Sequence, residues 1–250
     1  MNQVVTAGLW GLLSGSALLI GAIIGYAVRL PQRVISTVMA VGAGVLLSAV
    51  AFDLMDHAIE RGGLGPTAAG LMGGAIAYTA ANLLISRMGA RHRKRSGSNA
   101  AAAQASGAGL ALAIGALLDG VPESVVIGVG LLEGAGVSMA MVAAVFLSNL
   151  PEGLSSAAGM RNAGKSKRYV FGVWGGIAVA SGVASAAGNL TLGAAAPELI
   201  AIIIAVAAGA ILTMLVDTMI PEATEDMHET AGLITTASFL AAFALSKLSG

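Results

Sequence analysis

The sequence predicts an all-α polytopic membrane protein with eight transmembrane helices. Three observations predict it. Hydrophobic residues make up 56% of the 250-residue chain and charged residues only 10%, against roughly 25% in a soluble domain. The apolar residues are unusual in kind, with 35 Gly, many Ala and few aromatics. Small side chains let membrane helices approach closely where no hydrophobic effect drives them together. The apolar sequence also falls into eight stretches near the roughly 20 residues that cross hydrocarbon. They lie at 5–28, 34–57, 65–87, 106–130, 136–160, 169–189, 198–220 and 229–247.

The first stretch has no basic residue between Met1 and Trp10 and stays apolar to Val28. It reads as an uncleaved first helix rather than a signal peptide. The second ends on Asp53, Asp56, His57 and Glu60. Asp53, Asp56 and Glu60 recur at helical spacing, and His57 lies four after Asp53. This group either collects cations at an outer entrance or simply solvates a helix end. After the third stretch comes the longest connection, residues 89–105, with Arg91, Arg93, Lys94 and Arg95 followed by Ser96-Gly97-Ser98-Asn99. It is predicted to be a flexible, basic cytoplasmic loop, better suited to anionic lipid than to nucleic acid. In the sixth stretch, glycines recur from Gly172 to Gly193. The seventh opens on Pro197-Glu198, a normal helix start. It closes on Asp217, then Pro221-Glu222, Glu225, Asp226, His228 and Glu229. The eighth is shorter and mixed with Ser and Thr.

The basic residues test this layout independently. Arg29 and Arg33 fall in the first connection. Arg87, Arg91, Arg93, Lys94 and Arg95 fall in the third, and Arg161, Lys165, Lys167 and Arg168 in the fifth. These alternate connections hold every Lys and Arg except Arg61 and Lys247. The positive-inside rule puts them in the cytoplasm and both termini outside.

The chemistry concentrates in the fourth and fifth stretches. Asp119-Gly120-Val121-Pro122-Glu123-Ser124 and Ser148-Asn149-Leu150-Pro151-Glu152-Gly153 place a proline and a carboxylate inside each. A carboxylate in hydrocarbon is expensive unless it faces a partner, an ion or water. Each proline also withholds the donor its helix would give to Leu118 or Leu147. Asp119 and Glu123 share a helix face, as do Ser148 and Glu152. Asp119, Glu123, Asn149 and Glu152 are the candidate metal ligands, with Ser148, Asp217, Asp53 and His57 as accessory residues. The alternative is a pair of kinked helices with internally satisfied polar groups. The set is rich in oxygen, which suits Mg, Ca or Mn better than soft metals. Cysteine is absent, so thiolate sites and disulfides are excluded. Asp217 could join this site or line an exit. The acidic run from Glu222 is expected at the cytoplasmic side, receiving a departing cation or pairing with the basic loops.

The two motifs resemble the fourth- and fifth-helix signatures of the ZIP family of divalent metal transporters, His-Asn-x-Pro-Glu-Gly and His-(Glu/Asn/Asp)-x-Pro-Glu-Gly. Met219-Ile220-Pro221-Glu222-Ala223 is similar to the family's seventh-helix ending, and the likeness extends over nearly the whole chain. It implies that Glu123, Asn149 and Glu152 stand at metal-coordinating positions. Asp119 and Ser148 stand where the family has histidines, and Gly120 and Thr218 replace side chains able to ligate. A single oxygen-rich site is therefore expected instead of the family's two-metal centre. The resemblance further implies an eight-helix bundle with inverted three-helix repeats around helices four and five. It also implies transport of zinc, iron or manganese toward the cytoplasm, and together with the small residues it suggests a homodimer.

Residues 1–250 thus read as one transmembrane transport domain of the cell membrane. The expected partners are the lipid bilayer and a divalent cation, which is cargo; no enzyme activity, cofactor or nucleic acid is expected. The competing functions are transport of another small solute and a non-transporting membrane sensor or scaffold.

Overall fold

The computed structural model describes residues 2–87, 109–133 and 139–249, and all regular structure among them is helical. The long helices are α1 Gln3–Ala27, α2 Gln32–Gly62, α3 Leu64–Ile85, α4 Gly109–Gly130, α5 Met139–Asn162, α6 Lys167–Leu192, α7 Pro197–Thr224 and α8 Ala231–Ser249. Among the described residues, six of these, α1, α2, α3, α6, α7 and α8, are long and apolar enough to cross a membrane. The chain is a membrane-embedded helical protein. The two remaining helices carry the proline–carboxylate motifs. The predicted basic loop at 89–105 lies outside the described residues.

Local chemistry accounts for the helix ends. The Asn2 side chain accepts from Val4 N at 3.0 Å and caps α1, and Ser166 caps α6 through Tyr169 N. Pro197 and Glu198 open α7 as expected. Gly63, at φ 71°, turns the chain out of α2 while its N–H bonds to Ile59 O; that left-handed conformation is one glycine adopts without strain. At the far end of α1, Arg161 donates to the carbonyls of Tyr26 and Val28. Tyr26 in turn donates to Lys165 O at 3.0 Å. This clamp satisfies carbonyls that have no donor within α1.

α1 lies along α5 and α6, α4 along α6, α2 along α8, and α3 along α7. α5 is the most enclosed: every residue from Pro151 to Met160 is buried. Its seat against α1 is made by Gly153, where an ideal Cβ would lie 2.1 Å from the Leu18 carbonyl oxygen. The two backbones touch there, so only glycine fits. Large apolar side chains on α3 and α8, such as Leu84 and Leu233, point outward, as a helix facing lipid requires.

Two helices are interrupted by π turns, Ala49–Leu54 in α2 and Leu215–Met219 in α7. A π turn inserts a residue and rotates everything after it relative to a regular helix. Asp53 and Asp217 sit inside these turns.

Candidate cation site

α4 runs unbroken through Pro122 and α5 through Pro151. The i, i+4 spacing therefore does place Asp119 and Glu123 on one face. Asp119, Glu123, Ser148, Asn149 and Glu152 are all buried, none more than 3% exposed. Tyr78 of α3, itself buried, donates its hydroxyl to Asp119 Oδ1 at 2.6 Å. The Ser148 hydroxyl donates to Val145 O at 3.0 Å and Ser124 to Gly120 O at 2.7 Å.

Asn149 reaches across to α1, its Nδ2 donating to Ser14 O at 3.1 Å. A carbonyl only accepts, so this contact fixes which end of the amide faces α1. The other end, Oδ1, is buried and accepts no hydrogen bond. An amide oxygen held this way is costly unless something positive reaches it.

Each of the four predicted ligands is buried, two on α4 and two on α5. α4 and α5 meet only sparingly, while both pack on α1. Among the described residues, no three His, Asp or Glu side chains converge in a metal-binding group. The donor set consists of carboxylates from two helices supplemented by an amide and a hydroxyl.

The accessory residues separate. Asp53 and His57 are half-buried on α2, while Asp56 and Glu60 are exposed. Asp53 Oδ1 accepts from Ser246 of α8 at 2.8 Å, and His57 Nδ1 meets the Asp53 carbonyl. Beside Asp53 a cavity of about 270 Å³ opens between α2, α5 and α8. Its lining is mostly apolar, including Ala144, Leu147 and Ala242, with Ser48 and Ser238 as further polar members.

In α7 the two acidic positions differ. Asp217 is exposed and accepts from Asn82 Nδ2 of α3 at 3.1 Å. It does not join the buried set. Glu222, read as part of an acidic helix end, is wholly buried. Its Oε1 accepts from Ser155 at 2.9 Å and from Gln32 at 3.2 Å, and its carbonyl from Ser36 at 3.0 Å. The two lie five residues apart, about 140° around a regular helix, so the packing of α7 against its neighbours decides which of them is buried. Glu225, Asp226, His228 and Glu229 remain exposed.

Sequence reasoning missed Tyr78, Ser155 and Gln32. Tyr78 had a signal: a lone tyrosine inside an apolar stretch must find a partner for its hydroxyl. The chain matches no protein-family model and no curated protein sequence.

Proposed function

We propose that this protein carries divalent metal cations, zinc, iron or manganese, across the cell membrane toward the cytoplasm. The path passes between α4 and α5, and the chain is a divergent relative of the ZIP transporters. The observation that carries this proposal is the amide of Asn149. Its nitrogen is committed to Ser14, and its oxygen is buried with no donor; Asp119, Glu123 and Glu152 are buried on the same two helices, α4 and α5. A cation satisfies such oxygens; a neutral solute with donors of its own would not need three carboxylates.

A correspondence between α2 and α7 supports an inverted-repeat architecture. Ala40, Val41, Ala43, Gly44 and Leu47 recur as Ala205, Val206, Ala208, Gly209 and Leu212. Each run leads into a π turn bearing an aspartate. Asp53 takes its hydrogen bond from α8 and Asp217 takes its own from α3. Gly44 abuts α8, and Gly209 abuts α3. Helices two and seven of an eight-span chain run in opposite directions, so the relation is an inversion. Two such halves around a midplane site permit alternating access.

The test is uptake by purified protein in liposomes, with Zn, Fe, Mn, Mg and Cd in competition. Saturable uptake of at least one is expected. No uptake of any of them, with a pH gradient in either direction, defeats the proposal.

A further inference from the structure

We infer that Tyr78 is a positioning residue for the cation site, holding Asp119 to one metal-facing oxygen and thereby setting which ions the site prefers. The inference rests on the cation-transport reading and adds to it a residue that no motif contains.

The hydrogen bond is short, 2.6 Å, and both partners are buried, Tyr78 1% and Asp119 3% exposed. A hydroxyl donating to a carboxylate away from water is among the stronger neutral-to-charged hydrogen bonds. It engages Oδ1 and draws electron density from it. Oδ1 is thereby the weaker donor toward an ion, which disfavours ligation through both oxygens at once. Single-oxygen carboxylate ligation suits ions of low coordination number such as zinc, whereas ions taking six or more oxygens gain from a carboxylate that offers both.

The other half of the molecule supplies a comparison. Tyr78 lies four residues before Asn82, the residue that bonds Asp217. Four residues before Ser246, which bonds Asp53, stands Ala242. Asp119 lies three residues before Pro122, and Ser148 three before Pro151. Where the motif has a carboxylate, a tyrosine holds it. Where the motif has a serine, the corresponding position is alanine, and it lines the cavity beside Leu147. The tyrosine accompanies the carboxylate; it is not a general packing requirement of this helix position.

The test uses full-length protein purified in detergent, with Mn²⁺ and Zn²⁺ in competitive equilibrium dialysis and metal content read by mass spectrometry. Tyr78→Phe removes only the hydroxyl. It is expected to shift the Mn:Zn affinity ratio toward Mn by at least about fivefold, a part of what one hydrogen bond to a charged group can contribute. The shift should vanish when Tyr78→Phe is made in an Asp119→Asn background. Fluorotyrosine at position 78 keeps ring and hydroxyl, strengthens the donor, and should move the ratio toward Zn. This second variant preserves the test if Tyr78→Phe folds poorly. An unchanged ratio in the folded variants, or an equal shift without Asp119, overturns the role of Tyr78 alone. Wild-type protein that binds neither ion overturns the transport reading, and this inference with it.

Discussion

Ser155 Oγ donates to Glu222 Oε1 at 2.9 Å, joining α5 to the last turn of α7. Ser155 lies three residues after Glu152, so the bond sits one helical turn from a predicted ligand. Gln32 and Ser36 of α2 complete the arrangement around Glu222. Three helices are thus held together at one buried carboxylate, which bears on stability as well as on passage.

Glu222→Ala removes an acceptor from the buried Ser155 hydroxyl and from the half-buried Gln32 amide. Loss of a buried hydrogen-bond partner typically costs about 1–3 kcal/mol. Thermal unfolding of the purified protein should show a clear loss for Glu222→Ala. Glu222→Gln, which keeps an acceptor oxygen, should lose less. Equal midpoints for wild type and the alanine variant would refute the structural role.

Glu123→Gln and Glu152→Gln preserve size while removing charge from two buried positions. Each is expected to lower cation affinity by more than about 10-fold, since even residues behind a ligand can matter that much. Both should remain folded in the membrane. Metal binding and liposome uptake at wild-type levels in both variants would make these carboxylates structural.

Ser148→Asp places a carboxylate where the other half of the molecule has Asp119. Without a donor it should destabilise the protein, because a buried charge needs a partner. Adding Ala242→Tyr, which projects a ring into the 270 Å³ cavity, should restore part of the loss. A double variant no more stable than Ser148→Asp alone contradicts the proposed correspondence of the two halves.

Gly153→Ala adds a Cβ 2.1 Å from the Leu18 carbonyl oxygen and 2.8 Å from its carbon. Backbone must move, at a cost typical of overpacking, about 1–3 kcal/mol. A wild-type unfolding midpoint for this variant would mean that α1 and α5 do not touch at Gly153.

Orientation is open to direct labelling because the chain has no cysteine of its own. Single cysteines at Asn2, Ser98 and Gly250 should react from outside, inside and outside, respectively. Labelling of Ser98→Cys from the exterior, with Asn2→Cys protected, would reverse the proposed topology.

The sequence by itself determined that this is a helical membrane protein, because hydrocarbon admits few charges and demands internally bonded backbone. The same cost singled out Asp119, Glu123, Asn149 and Glu152, since polar groups in apolar stretches stand out without any knowledge of packing. All four are buried. Tertiary structure decided which polar group meets which. Asn149 reaches Ser14, 135 residues away, and Tyr78 reaches Asp119 across 41. Nothing in local spacing encodes such pairs, which depend on how helices are rotated against each other. Asp217 and Glu222 make the same point within one helix. Position along the stretch made Asp217 the deeper residue, since 217 lies inside 198–220 and 222 beyond its end. Which side of α7 meets α2 and α5 is decided by packing, which leaves Asp217 exposed and buries Glu222 against Ser155 and Gln32.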